Sequence, residues 1–178
     1  AKCFNCNGCQ LWLKWYPIFR GDDPVTKALL IVFHSKTGNT RKMAEAVLVG
    51  TKHPDISGVE VRLVNAQDAD ANDLTWADGL ILGTPENFGY MSGMMKDFFE
   101  RTFYEVEGKI PPLPFAMFIS AENDGTGAEL SIERIAKGYP LIKVQPSIIN
   151  TGEITPDIVM KCEELGTSMA AGLEMGLF

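Results

Sequence analysis

"ALLIVFHSKTGNT", Ala28 to Thr40, joins an unbroken apolar run to a cluster of small hydrogen-bonding side chains and one glycine. The run from Lys27 to His34 has the length and continuity of a strand buried on both faces. Behind it Met43, Ala44, Val47 and Leu48 recur at helical spacing, so a helix is expected from about Thr40 to Gly50. The junction therefore reads as strand, polar turn, helix. At such a junction the first turn of the helix offers unpaired N–H groups and the positive end of its dipole, an arrangement suited to an anion. Gly38 permits a tight turn, and Ser35, Lys36, Thr37, Asn39 and Thr40 add donors around it. A helix start capped by Ser, Thr and Asn would use the same residue types, so these residues alone leave both readings open. The stretch lacks GxxxxGK followed by Ser or Thr, and it lacks GxGxxG. It does not point to a nucleoside triphosphate or a dinucleotide.

The same alternation continues outward. Val59–Val64, Gly79–Leu82, Phe115–Ile119 and Leu141–Asn150 are further strand candidates, and helical spacing recurs over Met91–Phe103, Ala128–Lys137 and Thr155 to about Leu173. Thr155-Pro156-Asp157 is a helix start, a cap residue followed by a proline at the first helical position. Ala66–Trp76 is ambiguous and suggests a short or irregular helix. Strands unbroken by polar residues and separated by crossovers specify a five-stranded parallel sheet with helices on both faces, an α/β class. Ligands of such sheets lie at the carboxyl ends of the strands.

Two more loops leave those ends. "GTPENFGYMSGMMKDFF", Gly83 to Phe99, is expected to turn at Thr84-Pro85 and to present Glu86, Asn87, Phe88 and Gly89, with Gly83 and Gly89 letting a flat ring approach the main chain. "SAENDGTGAE", Ser120 to Glu129, is a polar loop whose Ser120, Asn123, Asp124, Gly125 and Gly127 could address the edge of a polar ring. In isolation, each could also be an ordinary turn.

Composition narrows the partners. The chain has 178 residues and a net charge of −7. Nucleic acid and anionic membrane are poor partners for that charge, and no apolar stretch is long enough to span a bilayer. A cytoplasmic protein acting on small molecules is expected. Residues 1–26 carry Lys2, Lys14 and Arg20 against Asp22 and Asp23, which leaves a net −8 on residues 27–178. The first segment reads as an N-terminal extension, either appended or a Cys-rich accessory segment. Its Cys3-x-x-Cys6-x-x-Cys9 run has iron–sulfur spacing but lacks a fourth ligand, Cys162 being far off in the last predicted helix. Residues 27–178 read as one domain. Of the two histidines, His34 reads as structural rather than catalytic, and no side chain is assigned as an obligatory acid or base.

Together, SKTGNT running into RKMAEAV and GTPENFGYMSGMMKDFFERT after the third strand resemble the flavodoxin-like FMN flavoproteins. In particular they resemble the NAD(P)H-dependent FMN oxidoreductases of the tryptophan-repressor-binding-protein type of quinone reductase. The resemblance covers residues 27 to about 175. It implies a flavodoxin-like three-layer sandwich with strand order 2-1-3-4-5 and one FMN. By position, Ser35 to Thr40 would hold the phosphate, Thr84, Pro85, Glu86, Asn87, Phe88 and Gly89 would line the isoalloxazine, and the Ser120–Gly127 loop would flank the pyrimidine edge. NAD(P)H as co-substrate, a quinone-like acceptor and a homodimer or homotetramer are implied in the same way. Two departures stand out: Glu86 places a carboxylate where relatives commonly have Arg or another residue, and SAENDGTG brings no aromatic over the ring, which leaves a face for substrates. An electron-carrying flavodoxin and a non-catalytic FMN sensor are the alternatives.

Overall fold

The computed structural model describes residues 26–178, and the Cys3/Cys6/Cys9 leader lies outside them. The strands are β1 (Lys27–Phe33), β2 (Val59–Asn65), β3 (Gly79–Asn87), β4 (Tyr90–Met91), β5 (Leu113–Ala121), β6 (Leu141–Lys143) and β7 (Ile148–Thr151). The helices are α1 (Asn39–Gly50), α2 (Ala71–Trp76), α3 (Gly93–Val106), α4 (Thr126–Ala136) and α5 (Pro156–Glu174). The sheet runs β2-β1-β3-β5-β6, with β7 also pairing β5 and β4 folding back on β3. Every pairing is parallel except β3–β4. With β5 as the fourth strand and β6 and β7 as the halves of the fifth, this is the expected order 2-1-3-4-5.

The alternation of side chains along the buried strands divides the core. Leu30, Val32, Leu80, Leu82, Phe115 and Met117 face α2, α3 and α4 with Met95 and Phe98. Leu29, Ile31, Phe33, Ile81 and Phe118 face α1 and α5 with Met43, Val47 and Met169. The two layers lock the central strands between helices, which fixes the carboxyl ends of β1, β3 and β5 side by side.

Two expectations are corrected and one ambiguity is resolved. The continuous strand expected over Leu141–Asn150 is interrupted after Lys143, where Pro146 has no N–H for a ladder, and it resumes at Ile148. The third strand does not end at Leu82; β3 continues to Asn87, so the chain does not turn at Thr84-Pro85. The ambiguous stretch resolves into the short α2, held by a capping box in which the Asp70 carboxylate accepts from the amides of Asn72 and Asp73. Among the described residues no helix is long and apolar enough to cross a membrane.

Candidate functional site

Loops from β1, β3 and β5 form one rim. In the first, Ser35 Oγ accepts a hydrogen bond from the Gly38 amide at 3.1 Å, which closes the turn and leaves the hydroxyl proton free to donate outward. Gly38 stands at φ 103°, a left-handed conformation that L side chains rarely adopt, and α1 begins directly after it. The start of α1 has no side-chain cap and no acid in its first turn. The starts of α2, α3 and α5 are capped by Asp70, Ser92 and Thr155. Lys36 and Thr37 are exposed, Asn39 is half-buried and Thr40 is buried. Arg41, next along, lies over the Phe33 ring with its guanidinium 5.3 Å from the ring centre. The first loop is thus a cradle of N–H and O–H donors at a positive helix end.

The second loop is a hairpin. Glu86 pairs Met91 and Asn87 pairs Tyr90, so Phe88 and Gly89 are the two residues of the turn, both at positive φ (54° and 69°). Two-residue hairpins of this kind match the right-handed twist of strands. Phe88 is fully exposed, which excludes a core role for its ring. Thr84 is buried; its hydroxyl donates to the Pro85 carbonyl at 2.9 Å and accepts from the Ser92 amide at 3.0 Å, so it braces α3 against β3. Gly83 is glycine for a reason other than ring approach, because a Cβ there would overlap the Phe118 ring.

The third loop docks onto the hairpin. Glu86 Oε1 accepts from the amides of Gly127 at 3.0 Å and Ala128 at 3.3 Å, so the carboxylate faces the positive end of α4 instead of standing unpaired. A Cβ on Gly127 would overlap the Gly89 carbonyl oxygen, so this contact requires glycine. The Met91 amide donates to Ser131 Oγ at 3.2 Å, which ties β4 to α4 a second time. Asp124 Oδ1 accepts from the Thr126 hydroxyl at 2.8 Å and amide at 3.0 Å, and these bonds lower its pKa. Asn123 and Asp124 are exposed; Ser120 and Gly125 are buried, the first paired in β5 with Pro85 and Asn150. The loop contains no aromatic residue, and its Glu122, Asn123 and Asp124 are exposed.

All the residues expected at the site fall on this rim, but not with equal freedom. Lys36, Thr37, Phe88, Gly89, Asn123 and Asp124 are exposed there, Ser35, Gly38, Asn39 and Asn87 are half-buried, and Thr40 is buried. Thr84, Gly125 and Gly127 brace the scaffold. His34, read from the sequence as structural, follows β1 directly. Its amide donates to the Gly83 carbonyl at 2.9 Å, and its Nδ1 is the buried side-chain polar atom left without a partner among the described residues. Burial lowers its pKa and favours the neutral ring. The donors, the uncapped helix start and the orphaned nitrogen fit a phosphorylated ligand with polar groups beyond its phosphate. Among the described residues no three His, Cys, Asp or Glu side chains gather as a metal cluster would.

The sequence profile of the Flavodoxin family matches residues 31–127, a span holding all three loops. The chain belongs to the flavodoxin family. It is similar to a flavodoxin of Aquifex aeolicus, 38% identical over 103 residues that cover 58% of this chain and 55% of the relative. It is also similar to an NAD(P)H dehydrogenase (quinone) of Acidithiobacillus ferrooxidans, 30% identical over 124 residues covering 58% and 62%. The chain spans between 55% and 66% of the length of four such curated relatives. Among solved structures, a flavodoxin from the domain Archaea superposes with TM-score 0.70 at 22% identity, covering 83% of this chain and 99% of that one. A flavodoxin, WrbA-like protein from Agrobacterium tumefaciens superposes with TM-score 0.66 at 20% identity, covering 84% and 98%. At those identities the two structures speak for the fold alone.

Proposed function

We propose that this flavodoxin-family chain is an FMN-dependent oxidoreductase that passes electrons from NAD(P)H to a quinone or similar acceptor. The observation that carries the reading is the exposed hairpin tip beside a third loop without an aromatic residue. The third loop covers no flavin face with an aromatic, and the fully exposed Phe88 offers an apolar surface where a second flat ring would arrive. Relatives named NAD(P)H dehydrogenase (quinone) support the same reading.

Bound at this rim, FMN would supply hydride and single-electron chemistry. The chain's part is to hold and orient. Ser35, Thr37, Asn39 and Thr40, with Lys36 beside them and the amides at the start of α1, hold the phosphate without a metal. Pro85, Glu86, Asn87, Phe88 and Gly89 would line the ring, with a hairpin amide as a donor to it. Asn123 and Asp124 border the pyrimidine edge. Thr84, Ser120, Gly125 and Gly127 keep these segments in register. Pinned on α4, Glu86 keeps a fixed negative charge near the ring, and fixed charge of that sign disfavours adding electrons there.

Steady-state oxidation of NADH and NADPH by the FMN-loaded chain, with an added benzoquinone, tests the enzyme reading; absence of turnover with both would sink it. A second reading is an electron carrier, favoured by the 38% identity to the Aquifex aeolicus flavodoxin and by the net charge of −7, suited to docking basic redox partners. FMN that stays oxidised under NAD(P)H while exchanging single electrons with a redox protein would choose the carrier.

A further inference from the structure

β2 bounds one side of the sheet: among the described residues it pairs β1 alone. The pairing is in unbroken register from Lys27 opposite Val59 to Phe33 opposite Asn65. Edge strands are commonly blunted by a proline, a bulge, a run of like charge or shortness, and Val59–Asn65 has none of these. The Gly58 carbonyl accepts from the Lys27 amide and the Ala66 amide donates to the Phe33 carbonyl, so even-numbered residues turn their backbone groups towards β1. By alternation Val59, Val61 and Leu63 turn theirs outward. The side chains of these three are half-buried on the face that packs on α1 and α5, whereas Glu60 and Arg62 are exposed on the other. There Arg62 is held in place, its guanidinium 3.8 Å from the centre of the Trp76 ring and its Nη1 3.4 Å from Asp73 Oδ1.

Charge decides what fits this edge. A second copy can pair antiparallel only with outward-facing residues opposite one another, which puts a two-fold axis at residue 60, 61 or 62 near the middle of the strand. An axis at Glu60 sets that carboxylate against its own copy, and an axis at Arg62 does the same to the guanidinium. An axis at Val61 sets Glu60 of each copy against Arg62 of the other, at the positions where cross-strand side chains lie closest. In that register Val61 meets its copy and Val59 meets Leu63, each pair exchanging both N–H···O bonds, and the half-buried apolar side chains are covered across the seam.

We propose that β2 is an isologous interface, through which two copies of this chain join antiparallel about Val61 into one continuous sheet. The inference does not rest on the FMN reading. A seam one strand wide is small for a permanent dimer, so the association is concentration-dependent.

Sedimentation velocity of the full chain tests it, from about 1 to 300 μM protein in about 0.15 M salt, which screens repulsion between two acidic copies. The wild type is expected to pass from monomer to dimer within that range. Glu60→Arg and Arg62→Glu each turn both cross-strand pairs from attraction to repulsion and should weaken dimerisation about tenfold or more. An equimolar mixture of these two variants pairs opposite charges again and should dimerise as the wild type does, as should the chain carrying both substitutions. The seam is contradicted by a wild type that stays monomeric, by single variants that dimerise as the wild type does, which would place the contact on another face, or by a mixture that does not recover. Arg62→Glu also gives up the Trp76 and Asp73 contacts. Should it fail to fold, Glu60→Arg and Val61→Pro decide, the second removing an outward N–H that β1 does not use. Both must lose the dimer, and its retention in either contradicts the seam.

Discussion

Glu86 shows how one side chain serves scaffold and site together. Its carboxylate joins the hairpin to the first turn of α4 through the Gly127 and Ala128 amides. Glu86→Ala leaves those amides without a protein acceptor and is expected to cost about 1 kcal/mol, the usual worth of a helix cap, read from the urea midpoint. Glu86→Gln, which keeps an acceptor and loses the charge, costs less, and by redox titration it raises the midpoint potential of bound FMN. The motif made Glu86 visible in the sequence, but its partners lie 41 and 42 residues away and nothing local announces them. His34 was hidden for a similar reason: an orphaned nitrogen is a property of the packed surroundings. The cradle from Ser35 to Thr40 was legible because its donors, glycine and helix start are contiguous.

At the scale of elements, the hairpin carries a conformational cost in its own sequence. Phe88 sits at φ 54° in a turn that favours Asn-Gly. Replacing it by Asn is expected to stabilise the protein by about 1 kcal/mol, since a left-handed conformation costs most side chains that much and Asn less. The same substitution should lower NAD(P)H:quinone turnover if the exposed ring receives the incoming substrate; thermal melting and steady-state rates check the two halves. The turn was misplaced in the sequence reading because Thr84-Pro85 looks like a turn start, whereas a Phe at positive φ is a poor turn signal. On the opposite face, α1 and α5 approach through Gly50 and Gly166, where a Cβ would overlap the Glu163 and Val47 carbonyls respectively. Gly166→Ala is expected to destabilise by about 1–3 kcal/mol, as overpacking does. It should also weaken FMN binding by displacing α1, which carries the cradle; denaturation and FMN titration measure the two effects. Strand and helix periodicity had already read most elements, and Pro146 was the available sign that the last strand would break.

Over the whole molecule, two buried acids govern behaviour in alkali. Burial raises Tyr139 from 10.0 to about 12, opposed by its bond with Thr102, and burial raises Cys162 from 9.0 to about 12. Both are neutral in the fold and lose their protons more readily when unfolded. Their stabilisation is therefore complete below pH 9 and is lost as the pH climbs from there to about 12. Urea midpoints should fall steadily across that window, and Tyr139→Phe should flatten the part above pH 10, where the tyrosine contributes. The parallel sheet with helices on both faces followed from the alternation of strands and helices, whereas the strand order came from the resemblance to flavodoxin-like proteins. The departures, a split last strand and a hairpin, arise from long-range pairing that no local window contains.

The central claim is that the rim formed by the β1, β3 and β5 loops binds FMN. Titration of the flavin-free chain with FMN, followed by flavin fluorescence and visible absorbance, tests it most directly. The account predicts saturable quenching at one FMN per chain, abolished by Gly38→Val, which places a branched side chain at φ 103° in the cradle. FMN fluorescence that is unchanged at saturating protein, or equal uptake by the Gly38→Val chain, would contradict it.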